Sequence, residues 1–244
     1  MEILPGSLIH GMSFILGLIC GSFTTTLSYR LPIREDFVNG RSRCPKCRTN
    51  LGPLDLIPVI SWLVFRGKCR HCNAPISARY PYIEFVCGSL FVLVSLSFVP
   101  GQPEQAVILW VLAVLLLTLS IIDLEQHRLP NSLIMLVLGL GLSLVWVTEQ
   151  SFVEAGAMFA AALAVGLLAR FAGQMLSHQP GIGWDDIKLV GALSLGIPFD
   201  SVIVFVGASG LASIILVAEF GWRRHLPVVP LGPALCFGAF AALL

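Results

Sequence analysis

The chain has 244 residues, 56% of them apolar and 12% charged, with a formal net charge of +1 and a mean hydropathy of +0.87. Soluble domains carry roughly 45–50% apolar and 25% charged residues, so too few charges are present here to cover a water-soluble fold of this size. A polytopic membrane protein is expected; a secreted enzyme, a disordered scaffold and a nucleic-acid binder are excluded.

Apolar stretches run over Leu8–Leu27, Ile83–Val99, Gln105–Ile122, Ser132–Val147, Phe152–Gly173, Ile187–Pro198, Ser201–Phe220 and Val229–Leu244. Most reach the roughly 17–25 residues that a helix needs to cross the hydrocarbon core. Ile187–Pro198 is short, and has to begin earlier, tilt or be sheltered by its neighbours. The first stretch lacks a basic n-region and a small-residue cleavage site before Tyr29-Arg30, so it reads as a true helix rather than a signal peptide. The fold expected is therefore all-α, with about eight transmembrane helices. Three regions follow: a first helix over 1–27, a polar loop over 28–82 and a membrane core over 83–244.

With eight spans the loops alternate sides. All fifteen basic residues fall in or beside Ser28–Tyr82, Asp123–Asn131, Gln174–Asp186 and Gly221–Pro227, with Arg170 and Lys188 at adjoining helix ends; ten lie between Arg30 and Arg79. Both termini, Pro100–Glu104 and Thr148–Ser151 have none. Lys/Arg-rich short loops stay in the cytosol, which places the polar loop there and both termini on the periplasmic side.

That loop holds Cys44-Pro45-Lys46-Cys47 and Cys69-Arg70-His71-Cys72. Two Cys-x-x-Cys turns can each present two thiolates to one side, which suits a tetrahedral zinc ion bound by Cys44, Cys47, Cys69 and Cys72. Disulfides compete on paper but are disfavoured in the reducing cytosol. Four thiolates fill the coordination shell, so the metal is structural. Cys20, Cys87 and Cys236 lie in apolar spans and read as buried packing residues.

Two acidic positions also stand out: Asp123 at the end of Gln105–Ile122, and Asp185-Asp186 at the start of the short span. A carboxylate near hydrocarbon has to face a cavity, a partner or water. One plain reading makes Asp123 the first residue of an interfacial loop and the acidic pair a helix cap. Gly181-Ile182-Gly183 before the pair, and Pro130 after the other loop, position these carboxylates more tightly than capping requires. Two adjacent aspartates share one proton; the ionised member can activate water while the protonated one polarises a peptide carbonyl. No Gly-x-Ser-x-Gly, His-Glu-x-x-His or Walker sequence competes.

Ordered matches run through nearly the whole chain. They include Gly21-Ser22-Phe23, Tyr29-Arg30-Leu31-Pro32, both Cys pairs, Asp55-Leu56-Ile57-Pro58, Ser61-Trp62-Leu63, Arg66-Gly67, Arg79-Tyr80-Pro81 with Glu84, Ile122-Asp123, Leu129-Pro130, Gly183 ahead of Asp186-Ile187-Lys188-Leu189, and Leu231-Gly232-Pro233. In these residues the chain resembles the type IV prepilin peptidases, bacterial inner-membrane aspartyl proteases of pilus and type II secretion systems. The resemblance implies catalytic Asp123 and Asp186, the latter fixed by its distance to Lys188-Leu189. It implies substrates that are prepilins or pseudopilins with a short basic leader before a hydrophobic helix. It further implies an N-methyltransferase activity that uses S-adenosylmethionine and is linked to the zinc loop. Asp185 stands where the family usually has glycine, and Thr24-Thr25-Thr26 where it commonly has asparagine. A rival reading, a transport or assembly subunit with a zinc interaction module, requires ionisable residues near mid-membrane, and the spans have none there.

The charge distribution generates the first prediction. A reporter fused after Arg79 or within Gly221–Leu226 should behave as cytosolic and one fused after Leu244 as periplasmic; a cytosolic signal after Leu244 contradicts eight spans.

Overall fold

The computed structural model describes residues 5–33, 35–36, 40–99, 101–177, 182–222 and 230–244. Among these residues the regular structure is helical: α1 Gly6–Arg30, α2 Ile60–Val64, α3 Arg79–Phe98, α4 Pro103–Gln126, α5 Asn131–Val147, α6 Phe152–Ser177, α7 Trp184–Ser194, α8 Val202–Leu216 and α9 Gly232–Leu243. Short 3₁₀ turns occupy Pro53–Leu56 and Phe199–Ser201, and α8 continues as a π-helix over Val217–Trp222. Eight of the nine α-helices coincide with the eight expected apolar stretches; α2 is a short addition inside the polar loop. Gly6–Arg30, Arg79–Phe98, Pro103–Gln126, Phe152–Met175 and Phe199–Glu219 are long and apolar enough to cross a membrane. Arg34, Gly181 and the 223–229 segment with Arg223 and Arg224 lie outside the described residues.

Packing divides the chain into two units, Met1–Ala106 and Val107–Leu244. In the first, α1 lies along α3 through small residues. A Cβ on Gly17 would stand 2.7 Å from the Gly88 Cα, and one on Gly21 2.7 Å from the Glu84 Cα. Glycines four residues apart on one helix let two backbones approach closely, which is how helices associate where lipid removes the hydrophobic drive. The opposite face of α1 carries exposed Met12, Ile15, Leu16, Ile19 and Phe23, as a lipid-facing surface should. His10 adds one polar tie, its Nδ1 lying 2.7 Å from the Ser95 hydroxyl.

In the second unit α7 is the central helix. Its eleven residues rise only ~16 Å, too little to cross the bilayer. Shelter by neighbours resolves this: Ile187, Leu189, Ala192 and Leu193 are buried. Glycines provide the space. Gly166 of α6 faces the Ile187 side chain, Gly191 faces Leu163, and Gly141 of α5 faces the Ala192 carbonyl. The N-terminus of α7 begins at Trp184, three residues before the apolar stretch does. On α9, Gly238 lies directly against Ser209 of α8.

Close approach at Gly21 makes it a sensitive position. Gly21→Leu should lower the thermal stability of the detergent-solubilised protein by about 1–3 kcal/mol, the usual cost of overpacking, while a leucine at exposed Met12 should change it little.

Candidate functional site

In the first unit the two Cys-x-x-Cys segments form nearly identical knuckles. Cys44 N–H donates to the Thr49 carbonyl at 3.0 Å, and Cys69 N–H to the Ala74 carbonyl at 2.8 Å. The residue after each second cysteine takes a left-handed conformation, Arg48 and Asn73 both at φ 55°. Each knuckle closes with a single bridge, Arg43 to Asn50 and Lys68 to Pro75. The repeated turn aims all four sulfurs at one point: the Sγ atoms of Cys44, Cys47, Cys69 and Cys72 lie within 4.8 Å of one another. The Cys44–Cys72 sulfur separation is 3.8 Å. Four sulfurs at ~2.3 Å from a tetrahedral zinc stand ~3.8 Å apart, so the cluster fits that ion, and all seven cysteines are free thiols.

Local hydrogen bonds act unequally on the sulfurs. The Thr49 hydroxyl and then its backbone N–H bring the Cys47 thiol down to about 6. The N–H groups of His71 and Cys72 lower Cys69. Against the lowering Ala74 N–H, desolvation and the neighbouring sulfurs of Cys47, Cys69 and Cys44 hold the Cys72 thiol up at about 11; metal binding requires thiolates, so it releases a proton there. Trp62 holds the loop from inside: its Nε1 donates to the Ile76 carbonyl at 3.0 Å, and Gly67, at φ 67°, packs against its ring where a Cβ would collide. Arg70 pairs with Asp55 at 3.5 Å and lies over Phe65.

The second unit holds the acidic positions. Asp123 lies one turn before the end of α4, where His127, at φ 52°, donates its N–H to the Asp123 carbonyl at 2.9 Å. Its residue is 5% exposed. The carboxylate accepts the Gly232 N–H at 2.8 Å. Gly232 is the first residue of α9, and its N–H is one of the donors that a helix N-terminus leaves without an intrahelical partner. The positive end of α9 therefore faces Asp123. A Cβ on Gly232 would stand 2.7 Å from Asp123 Oδ2, so only glycine fits without displacing the carboxylate.

Asp186 is held in the same manner by its own helix. Gly183 is the N-cap of α7, and its N–H donates to the Asp186 carboxylate. A Cβ at Gly183 would stand 2.9 Å from Asp186 Oδ2. Asp123 and Asp186 interact electrostatically. Asp185 is within electrostatic range of both Asp123 and Asp186; it also pairs with Lys188 Nζ at 3.1 Å, and that ammonium donates to Asn131 Oδ1 at 3.0 Å, tying α7 to the start of α5. The charge of Asp185 is thus already met by a cation. Arg170 of α6 fixes the approach to α7, donating to the Ile182 carbonyl at 2.6 Å with its guanidinium 4.7 Å over the Trp184 ring. Cys236, one turn beyond Gly232, is buried, hydrogen-bonds the Ser120 hydroxyl and lies within electrostatic range of both aspartates.

Sequence reasoning named the carboxylates and thiols, used Arg170 and Lys188 for orientation and Lys188 and Gly232 as matched positions, but gave Gly232, Arg170, Trp184, Lys188 and Asn131 no part in holding the carboxylates. Helical spacing offered one signal: Ser120 precedes Asp123 by three residues and Cys236 follows Gly232 by four, which puts each pair on one helix face.

Comparison with known proteins follows this geometry. The bacterial peptidase A24 N-terminal domain matches residues 15–98, which contain all four clustered cysteines, and the type IV leader peptidase family matches 110–218, which contain Asp123 and Asp186. A prepilin leader peptidase/N-methyltransferase of Burkholderia pseudomallei is 32% identical over 98% of this chain and 86% of its own length. The chain belongs to the type IV leader peptidase family. Other members with the same printed name are 31% identical in Aeromonas hydrophila, over 97% of this chain and 91% of the relative, and 31% identical in Bacillus subtilis, over 95% and 92%. No solved structure matches the chain. Gly232 and α9 lie beyond the second matched region, so the donor that holds Asp123 is supplied from outside it.

The thiol geometry generates a metal prediction. Purified protein should contain about one zinc per chain, and Cys44→Ser or Cys72→Ser should release it. Zinc affinity should fall as pH drops across the neutral range, where metal has to displace the proton of Cys72, and more steeply below about 6, where Cys47 is protonated as well. Unchanged affinity down to that pH contradicts the assignment.

Proposed function

We propose that this protein is an aspartic endopeptidase of the inner membrane that removes the leader of type IV prepilins and pseudopilins at the cytosolic face. Asp123 and Asp186 are its catalytic pair. The observation that carries the reading is that both carboxylates accept N–H donors from helix N-termini and interact with each other, while Asp185 pairs with Lys188. A pair that shares one proton divides the work: the ionised member takes a proton from water as it attacks the scissile carbonyl, and the protonated member donates to the carbonyl oxygen. The attacking water supplies the new carboxyl group, and the leaving nitrogen takes up the proton. Gly232 and Gly183 hold the two carboxylates in register, and Arg170 secures the strand of chain leading to Asp186.

The loop with Cys44, Cys47, Cys69 and Cys72 would hold a structural zinc ion, which has no open coordination position and supplies no water. Methylation of the new N-terminus with S-adenosylmethionine is proposed from the family resemblance and the printed names of the relatives. The described residues form no glycine-rich strand-to-helix turn for a nucleoside, and no step is drawn through that cofactor. The basic residues of the loop support a cytosolic location for both activities.

Co-expression with a prepilin tests the reading through a leader-sized mobility shift. Asp123→Asn and Asp186→Asn should each lower cleavage by roughly 10²–10⁴-fold or more, and the double variant should be no worse than either, because the two act as one unit. Asp185→Asn should retain cleavage. A dead Asp185→Asn with an active Asp186→Asn moves the partner of Asp123 to position 185.

The hydrogen bond from α9 makes a separate demand. Gly232→Ala should lower cleavage by about 10²-fold by moving Asp123 off its position, with thermal stability nearly kept. Unchanged cleavage in that variant removes Gly232 from the account.

A further inference from the structure

We infer that residues 54–64, which run through the Pro53–Leu56 turn and α2, form an interfacial element that lies in the headgroup–acyl boundary of the protein's own membrane, with the surrounding basic residues taking anionic lipid headgroups. The segment is part of the first unit, and the inference stands whether or not the second unit is a peptidase.

Three observations carry it. The first is exposure. Leu54, Ile60, Leu63 and Val64 each leave 57–66% of their surface uncovered, and Leu56 and Ile57 are exposed beside them. That is an apolar ridge on a loop that is otherwise polar, and isolated apolar side chains do not cluster this way on a solvated loop.

The second is depth. Val59 N–H donates to the Glu84 carboxylate at 2.7 Å, and Glu84 lies five residues, ~7.5 Å, along α3 from Arg79. The Glu84 Cα in turn packs on Gly21, nine residues, ~13 Å, before the end of α1 at Arg30. The middle of the segment therefore sits below the ends of both helices rather than above them. Val59 holds φ 60° and ψ −50°, a γ-turn conformation that a β-branched residue rarely takes, and its N–H is the one that the buried Glu84 carboxylate accepts. Tyr80, Tyr82 and Phe85, all exposed, stand at the same level of α3, the place of an aromatic belt.

The third is charge. Between Arg41 and Arg79 there are eight basic residues and one acid, Asp55. Arg66 and Lys68, which directly follow the segment in the chain, are exposed, as is Arg48 in the same loop. An apolar ridge with a basic rim fits an anionic bilayer surface. A basic peptide leader would be repelled by the same rim, which selects lipid over a substrate segment as the occupant.

The test uses the full chain in nanodiscs of phosphatidylethanolamine and phosphatidylglycerol, with the photoreactive residue p-benzoylphenylalanine placed at Leu63, at Leu54 or at Lys46 in separate proteins. All three positions are exposed, so the fold tolerates the probe. Mass spectrometry should find phospholipid adducts at Leu63 and Leu54 in several-fold excess over Lys46, with phosphatidylglycerol over-represented relative to its share of the disc, and with the same yield when a prepilin is present. Three results would overturn the inference: equal labelling at the three positions, no lipid adduct at Leu63 or Leu54, or lipid adducts replaced by prepilin adducts. Labelling without enrichment of phosphatidylglycerol would overturn the role of the basic rim.

Discussion

The hydrogen bond from Gly232 to Asp123 is the contact on which the position of that carboxylate depends. A carboxylate among apolar helices is costly unless something meets its charge, and here the N-terminus of α9 does so with a backbone donor that would otherwise be orphaned. The consequences reach outward. Position 232 has to be glycine because a Cβ would occupy the carboxylate's place, and Pro233 can follow because the first turn of a helix needs no N–H from it. Asp186 repeats the arrangement on α7, where Gly183 supplies the donor and the necessary space. Capping and the proposed catalytic role are therefore compatible for this residue: the geometry that satisfies the helix end also fixes the carboxylate.

The first unit solves a different problem with the same economy of parts. A polar loop between two membrane helices has little core of its own, so four thiolates, Trp62 and a single buried carboxylate organise it. The knuckles converge on one point, Trp62 closes the inner side on Ile76 and Gly67, and Glu84 pins Val59 to α3. Glycine-mediated contact of α1 with α3 then sets the level at which the loop is held.

Much of this was legible in the residues. Eight apolar stretches, all recovered as helices, follow from composition and length, because a membrane span must be long and continuous. The metal cluster follows from spacing, because a Cys-x-x-Cys turn has few ways to fold. Asp123 and the Asp185-Asp186 pair stand out as acids at the ends of apolar helices. What the sequence hides are contacts between distant positions. Gly232 is 109 residues from Asp123, and no local pattern announces that its N–H is the partner. Arg170 reads as a positive charge at a helix end; its stacking on Trp184 depends on how α6 and α7 meet. The exposed ridge at 54–64 reads as an ordinary apolar run, and only its burial pattern separates it from a small core. The register of Asp186 is legible in its distance to Lys188-Leu189, whereas the Lys188 partner of Asp185 and the Gly183 donor to Asp186 are contacts that the structure adds.

The central claim is that Asp123 and Asp186, and not Asp185, face one another. A chain with Cys20, Cys87 and Cys236 replaced by serine, its zinc site loaded, and Asp123→Cys combined with Asp186→Cys tests this through a short bifunctional thiol reagent, with the bridge read by mass spectrometry after proteolysis. The account predicts rapid bridging of 123 to 186 and far slower bridging when Asp123→Cys is combined with Asp185→Cys instead. Preferential bridging to position 185, or no bridge at either, would contradict it.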